Sequence, residues 1–352
     1  MSPKQNAPEP NSSPEIQSLK KQVNRLQKAV FVLCFLGFGG VISYLFVFSK
    51  DPAEKPAPAT ALAEASGSEN MPQRVGLPTA APVADFAGEK VPYAADFEVR
   101  ERIDREILGN TFSHSRTLLL LKRAGRWFPV IEPILKENGL PDDLKYVAAI
   151  ESDLSNVISP AGATGFWQFM KTTGPEFGLE VSEEVDERYD VEKSTVAACQ
   201  YFKKAYAKFN SWTLSAASYN MGMAGVSKRV EDQQQNSYYG LDLSSETTRY
   251  VARILAVKSI FENPEAYGFY ISNADLYPPV PYGSLVVSKP IADLALFAKE
   301  NGTSLKLLRE LNPWLRKNTL TNAKGKSYVI RIPAPDFDYV RAQKEIKGIL
   351  PR

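Results

Sequence analysis

An uninterrupted apolar run occupies residues 29–48, with the sequence AVFVLCFLGFGGVISYLFVF. It contains no charged residue, and as a helix it is long enough to span a bilayer core of roughly 30 Å. Five basic side chains precede the run and two follow it before residue 60, which predicts a cytoplasmic amino terminus. We therefore expect a cytoplasmic segment at 1–28, a single transmembrane helix at 29–48, and the rest of the chain on the extracytoplasmic side.

The pattern changes twice beyond this run. Residues 49–92 are rich in Pro and Ala and contain few large apolar side chains that could offset the entropy of ordering, so they predict a linker. From 93 to 275, apolar residues recur at helical spacing between short Gly or Pro breaks, which predicts a mostly α domain. The helices expected there are 96–108, 115–123, 128–138, 142–151, 191–208, 212–219 and 245–262.

Residues 276–352 follow a proline-rich segment and predict a smaller unit. Leu285–Val287 and Tyr328–Ile332 have the apolar, β-branched composition of strands, and two short helical patterns lie between them at 291–302 and 304–313. The order of these elements predicts a small β-α-α-β module at the carboxyl end of the chain.

The composition narrows the possible chemistry. With 42 basic and 40 acidic residues, the formal net charge is only +2, so no global field attracts nucleic acid. His114 is the single histidine, and Cys34 and Cys199 lie in separate apolar patterns, so His-based metal sites and paired nucleophiles are not expected. Carboxylates, hydroxyls and amides remain as the groups that could carry the chemistry of this protein. We expect neither a metal nor an organic cofactor.

Glu151 is the carboxylate whose position is most informative. Leu144, Val147 and Ala148 precede it by seven, four and three residues, so its side chain lies on the apolar stripe of a helix. Burial disfavours the charged form of a carboxyl and raises its pKa, which suits a proton donor. A structural glutamate paired with a core arginine, or capping a neighbouring helix, fits the same pattern equally well.

Three ordered motifs carry a resemblance that favours the catalytic interpretation. Glu151-Ser152, then GATGFWQFM at 162–170, then SYNMG at 218–222 resemble the signatures of family 1 lytic transglycosylases. The similarity covers about residues 93–265 and includes further matches to the membrane-bound lytic murein transglycosylase D branch, at 139–141, 185–188, 194–195 and 246–251.

The resemblance implies a lysozyme-like helical domain that cleaves the MurNAc–GlcNAc β-1,4 bond of peptidoglycan glycan strands and leaves 1,6-anhydro-MurNAc ends. It implies that Glu151 is the acid/base. Ser218 and Met223 depart from the usual pattern, which has alanine and often glutamate there. The residues that the resemblance places in contact with the substrate or in support of the cleft are Ser152, Gln168, Met170, Tyr219, Asn220 and Glu246.

The carboxyl-terminal module resembles a lysin-motif (LysM) domain, a peptidoglycan-binding fold, over about residues 283–334. The matching segments are Leu308–Pro313 and Ile330–Pro333, whereas Ser288–Ile291 replaces the usual Gly-Asp-Thr-Leu of the first loop. The whole pattern predicts a periplasmic, inner-membrane-anchored lytic transglycosylase. A hydrolytic muramidase of the same fold and a non-catalytic wall-binding tether are the alternatives.

Overall fold

The computed structural model of the chain describes residues 77–78, 82–346 and 348–350. The predicted cytoplasmic segment at 1–28, the predicted transmembrane helix at 29–48 and most of the predicted linker at 49–92 lie outside the described residues. Among the residues that are described, no helix combines the length and the apolar composition needed to cross a membrane.

The first described elements are two short strands that the sequence pattern did not predict. β1 (Asp85–Phe86) and β2 (Glu89–Lys90) pair antiparallel. Phe86 is fully buried in the core of the helical domain. The Glu89 carboxylate accepts hydrogen bonds from the first amides of a distant helix, among them the Thr213 amide at 3.0 Å. A carboxylate stabilises the positive end of a helix, so Glu89 joins the hairpin to the start of this helix. The hairpin is therefore the first part of the helical domain that the structure describes.

Within residues 82–346, which the structure describes, eight α-helices form the helical domain, and the mostly helical prediction is confirmed. Several begin at a residue whose side chain accepts hydrogen bonds from amides of the first turn, as Asp96, Asp190, Ser211 and Ser244 do. The helices are α1 (Phe97–Phe112), α2 (His114–Glu137), α3 (Lys145–Ser152), α4 (Thr173–Glu176), α5 (Val191–Phe209), α6 (Trp212–Met221), α7 (Met223–Gln233) and α8 (Ser245–Glu262).

α8 lies at the centre of the domain and packs against α1, α3 and α6. Its residues from Tyr250 to Phe261 are almost all buried, so the rest of the domain surrounds this part of the helix. Val147 and Ala148 on the facing helix α3, and Leu144 in the 3₁₀ turn just before it, are fully buried, as their spacing predicted. The stripe that carries Glu151 therefore faces α8.

α2 is one continuous helix where the sequence predicted two. It runs through Gly125, Pro129 and Pro133 without a break. Its buried positions, among them Leu121 and Phe128, keep the spacing of a single apolar face through the predicted gap. The glycine allows close packing, because a Cβ atom at Gly125 would lie 2.6 Å from the Cβ of Leu276.

The carboxyl-terminal module has the predicted β-α-α-β order. β3 (Tyr282–Val287) pairs antiparallel with β4 (Tyr328–Pro333), and α9 (Leu294–Glu300) and α10 (Leu305–Leu311) lie between them in the chain. A further helix, α11 (Tyr339–Lys344), follows the module and was not predicted.

The module shares its core with the helical domain. Val185 and Tyr189 of the helical domain are buried in the same apolar cluster as Trp314 and Leu315 of the module. The Asp186 amide donates to the Trp314 carbonyl at 2.9 Å, and Val185 pairs with Leu315 as an isolated β-bridge. The segment 180–192 is therefore a structural part of both units.

The same segment supports the 162–170 turn. The Arg188 guanidinium pairs with Asp186 at 2.7 Å and donates to the carbonyls of Gly162 at 3.2 Å and Phe169 at 3.1 Å. Gly165 lies directly against the Arg188 backbone, because a Cβ atom there would stand 1.9 Å from the Arg188 carbonyl oxygen. Only glycine fits at this contact.

We predict that Gly165→Ala lowers the free energy of unfolding by at least about 3 kcal/mol, because it combines a backbone clash with an unfavourable positive φ. Gly162→Ala is the matched control: its φ of +86° is similar to the +82° of Gly165, but no atom lies within 4 Å of the added methyl group. The control should cost about 1 kcal/mol. Denaturant titrations of both variants measure the difference, and equal losses would contradict the close packing described here.

Candidate active site

Glu151 lies in the last turn of α3 and is half-buried. The Tyr250 hydroxyl donates a hydrogen bond of 2.5 Å to its Oε1 atom. Burial raises the pKa of Glu151 above its ordinary value, and the nearby charge of Glu246 adds to the rise. The hydrogen bond from Tyr250 and the charge of Arg253 act in the opposite direction without cancelling it. The site therefore holds a carboxyl group that keeps its proton to higher pH than an ordinary glutamate.

Tyr250 and Arg253 are site residues that the sequence patterns did not single out. Tyr250 is fully buried, and its pKa is raised far above the usual value by burial and by the neighbouring Glu151 carboxylate. The guanidinium carbon of Arg253 lies 5.5 Å from the centre of the Tyr250 ring. Glu246, Tyr250 and Arg253 follow one another by four and three residues on α8. That spacing was the available signal, because it places all three side chains on one face.

Ser152 is buried and its hydroxyl is engaged with the backbone. Its Oγ atom lies 3.0 Å from the Ala148 carbonyl oxygen and 2.9 Å from the Phe166 carbonyl oxygen. The hydroxyl thus joins the end of α3 to the 162–170 turn. Direct contact of Ser152 with a substrate stays a prediction, whereas the geometry gives this side chain a supporting role in the frame of the site.

Gln168 adopts a left-handed backbone conformation, with a φ of 49°. Its Nε2 atom donates to the Gly165 carbonyl at 2.7 Å and to the Val157 carbonyl at 3.1 Å. The described residues donate no hydrogen bond to its side-chain oxygen, so that atom is left to accept one from a ligand. Met170 is 40% exposed at the end of the same turn.

Tyr219 and Asn220 lie near the end of α6 and make different contacts. The Tyr219 hydroxyl donates to the Trp167 carbonyl at 2.7 Å, and its ring stacks on Phe202 at a centroid distance of 5.1 Å. Burial raises the pKa of Tyr219 far above the usual value. The Asn220 amide donates to Glu246 at 3.0 Å and its oxygen accepts from Thr247 at 2.7 Å. Tyr219 thus holds the 162–170 turn against α6, and Asn220 joins α6 to α8.

The arrangement brings one protonatable carboxyl, Glu151, together with a phenol that can stabilise it after it loses its proton. Glu246 is the other carboxylate nearby, but it is exposed and bound by Asn220 at the start of α8. The site can therefore donate one proton and take it back, which is general acid/base chemistry by a single residue.

The helical domain matches a known family of transglycosylase domains. Residues 128–240 match the family described as Transglycosylase SLT domain. Residues 284–336 match the family described as Soluble lytic transglycosylase C-terminal LysM-like domain. These matches confirm both predicted resemblances, to an SLT domain and to a LysM-like domain. The predicted bounds of the two domains, 93–275 and 276–352, stay a prediction.

Curated proteins are similar to parts of the chain. The chain is 29% identical over 252 residues to the membrane-bound lytic murein transglycosylase D of Escherichia coli K12. The aligned residues cover 69% of this chain and 53% of that protein. A putative tributyltin chloride resistance protein of Alteromonas sp. M-1 is 28% identical over 112 residues, which cover 31% of this chain and 54% of that protein. The chain therefore spans about half the length of the curated relatives it matches.

Among solved structures, an inactive mutant of the lytic transglycosylase Slt from Pseudomonas aeruginosa aligns with a TM-score of 0.32 and 22% sequence identity. The alignment covers 37% of this chain and 22% of that one.

We predict that two substitutions move the pKa of Glu151 in opposite directions. Glu246→Gln removes a negative charge that raises this pKa, so the pKa should fall. Tyr250→Phe removes a hydrogen bond that favours the carboxylate, so the pKa should rise. Carboxyl-carbon NMR titration of the isotope-labelled chain measures both values without reference to activity. Shifts of the same sign in both variants would contradict the geometry of the site.

Proposed function

We propose that this protein is a peptidoglycan lytic transglycosylase that cleaves the MurNAc–GlcNAc β-1,4 bond, with Glu151 as its acid/base. The observation that carries the proposal is the half-buried Glu151 carboxyl, with its raised pKa and its hydrogen bond from Tyr250, inside an SLT domain. The names of the curated relatives in Escherichia coli support the same class of reaction.

In the first step, protonated Glu151 gives its proton to the glycosidic oxygen. The bond between that oxygen and C1 of MurNAc breaks, and the GlcNAc side leaves as an alcohol. Positive charge develops at C1, where the substrate's own N-acetyl oxygen stabilises it. The Tyr250 hydroxyl stabilises the carboxylate that Glu151 has become, because a hydrogen bond to an ionised group is stronger than one to a neutral group.

In the second step, the C6 hydroxyl of the same MurNAc attacks C1. The Glu151 carboxylate accepts the proton from this hydroxyl, a bond forms between O6 and C1, and the product ends in 1,6-anhydro-MurNAc. The enzyme returns to its starting protonation state and no water is consumed.

The number of carboxylates favours this reaction over hydrolysis. Most glycosidases hold two carboxyl groups about 5 to 9.5 Å apart, so that the second can act as nucleophile or activate water. Glu246 is exposed and bound by Asn220, which suits a support that tunes Glu151 rather than a nucleophile. A hydrolytic muramidase remains the alternative, and the products separate the two. The half-buried carboxyl with a raised pKa favours an enzyme over a purely wall-binding tether.

The other predicted site residues take supporting roles in this proposal. The side-chain oxygen of Gln168 accepts a hydrogen bond from the glycan, and exposed Met170 forms part of the cleft wall. Tyr219 and Ser152 hold the 162–170 turn through the Trp167 and Phe166 carbonyls. Asn220 fixes Glu246 at the start of α8.

We further propose that residues 29–48 anchor the protein in the inner membrane and that 49–92 tether the catalytic domain, 93–275, in the periplasm. The LysM-like module and the tail that follows it occupy residues 276–352 in this layout. The apolar run and the charge asymmetry of the sequence support this layout, and the relative in Escherichia coli K12 is named as membrane-bound.

We predict that the full chain sediments with membranes after an alkaline carbonate wash. A variant that lacks residues 29–48 should appear in the soluble fraction, because it loses the apolar run that spans the bilayer. Immunoblots of the two fractions provide the measurement. Full chain found in the soluble fraction would refute the anchor.

We predict that Glu151→Gln lowers peptidoglycan turnover by about 10² to 10⁴-fold, because the amide can neither donate nor recover the proton. Release of soluble muropeptides from purified sacculi measures the rate, and a thermal melt shows that the fold is kept. Glu137→Gln, at the exposed end of α2, is the matched control and should retain full activity. A loss below tenfold in Glu151→Gln would exclude the proposed role.

A further inference from the structure

The contact between the helical domain and the LysM-like module includes a short piece of β-structure. Val185 of the 180–192 segment pairs with Leu315 of the module, and both side chains are buried. Backbone hydrogen bonds flank this pair, and in one of them the Arg316 amide donates to the Glu184 carbonyl at 2.8 Å. Separation of the two surfaces would leave these backbone groups without their partners, so the contact holds the module in one orientation.

Opposite charges surround this buried pair. Seven of the 13 residues in 180–192 are acidic, whereas residues 312–331 of the module contain five basic residues and no acidic one. Arg331 of the module pairs with Asp190 at 3.0 Å, and both side chains are largely withdrawn from water. Removal of one partner from a buried ion pair is costly, so this pair also holds the module against the segment.

The same segment supports the 162–170 turn along two routes. In the first route, Arg188 donates to two carbonyls of the turn, at 3.1 and 3.2 Å. In the second route, Asp190 caps the start of α5, and Thr195 in the first turns of that helix accepts a hydrogen bond of 2.8 Å from the Trp167 indole of the turn. A displacement of the segment would therefore displace the turn.

We propose that the LysM-like module is a positioning element of the candidate active site, an inference that rests on the proposed function. The module fixes the 180–192 segment, and the segment fixes the turn that presents Gln168 to the glycan beside Glu151. The module therefore increases the rate of bond cleavage. A module that only retained the enzyme on the cell wall would instead lower the substrate concentration that the enzyme needs.

The helical domain keeps its own core when this contact is broken. Val185 and Tyr189 are buried in the apolar cluster of the module, whereas Val147 of α3 and Tyr250 of α8 belong to the separate cluster of the helical domain. A substitution at Val185 therefore loosens the segment without removing a side chain from the core around Glu151.

The test introduces Val185→Asp into the purified full chain, because a charge placed in the buried cluster drives the two surfaces apart. Soluble, uncross-linked glycan strands serve as the substrate, so that kcat and KM are measured separately. We expect kcat to fall by about 10 to 10²-fold while KM changes little, because cleavage depends on the position of the turn. Glu183→Gln is the matched control in the same segment: its side chain is 82% exposed, and both constants should stay unchanged.

Hydrogen exchange gives a second measurement that does not depend on cleavage. The amides of Thr164 and Gly165 donate to carbonyls at 3.1 and 2.9 Å in and beside the turn. In Val185→Asp we expect these two amides to exchange faster, while the amides of α8 keep their exchange rates. Faster exchange throughout α8 would show that this variant has lost its fold, and the cysteine pair described next then decides.

The second variant carries Val185→Cys together with Leu315→Cys. Antiparallel partners flanked by hydrogen bonds in this way lie about 4.5 Å apart at Cα, a separation that a disulfide can bridge. The reduced pair loosens the contact by shortening two buried side chains, and oxidation closes it again in the same molecule. We expect kcat to be lower in the reduced form and to recover on oxidation, whereas the unaltered chain should respond to neither treatment.

Unchanged kcat in folded Val185→Asp, or the same kcat in the reduced and oxidised cysteine pair, would overturn the proposal. A rise in KM alone would also overturn it, because that result is expected of a module that only binds the wall. Failure of the unaltered chain to cleave glycan strands would refute the proposed function instead. The exchange rates of Thr164 and Gly165 would still show whether the module fixes the turn.

Discussion

The carboxyl group of Glu151 loses much of its hydration where α3 packs against α8, and the candidate site depends on how that loss is balanced. A charged carboxylate in this position is disfavoured, so the pKa rises and the proton is retained. The Tyr250 hydroxyl donates a hydrogen bond of 2.5 Å to Glu151 Oε1, which lowers the free-energy cost of ionising this carboxyl. Burial and the charge of Glu246 raise the pKa, whereas this hydrogen bond and the charge of Arg253 lower it, and the balance gives a group that can both release and recover a proton.

The surrounding structure holds this balance in place through the backbone of the 162–170 turn. Ser152 contacts the turn from α3, Tyr219 from α6, and Arg188 from the segment 180–192. That segment also contributes Val185 and Tyr189 to the core of the LysM-like module. The module is therefore continuous with the support of the site.

The inward orientation of Glu151 could be predicted because Leu144, Val147 and Ala148 set the apolar stripe within one helix. The hydrogen-bond partner of Glu151, Tyr250, could not be predicted. It lies 99 residues further along the chain, and the contact depends on how α3 and α8 pack. The hydrogen bond from the Ser152 hydroxyl to the Phe166 carbonyl could not be predicted from the sequence for the same reason. Val185 and Tyr189 lie in a segment whose apolar residues have no regular spacing. Their burial against the module could therefore not be predicted from the hydrophobic pattern. Local repeats predicted the helices and strands, whereas contacts between distant elements determined the site.

We propose that one carboxyl group, aided by the substrate's own C6 hydroxyl, breaks the glycan strand without water. Digestion of purified sacculi in water enriched in the heavy oxygen isotope tests it most directly, with mass spectrometry of the new sugar ends. The account predicts 1,6-anhydro ends that carry no heavy oxygen, because O6 of the sugar is the nucleophile. Reducing MurNAc ends that carry heavy oxygen would show that water attacks C1, and would contradict the account.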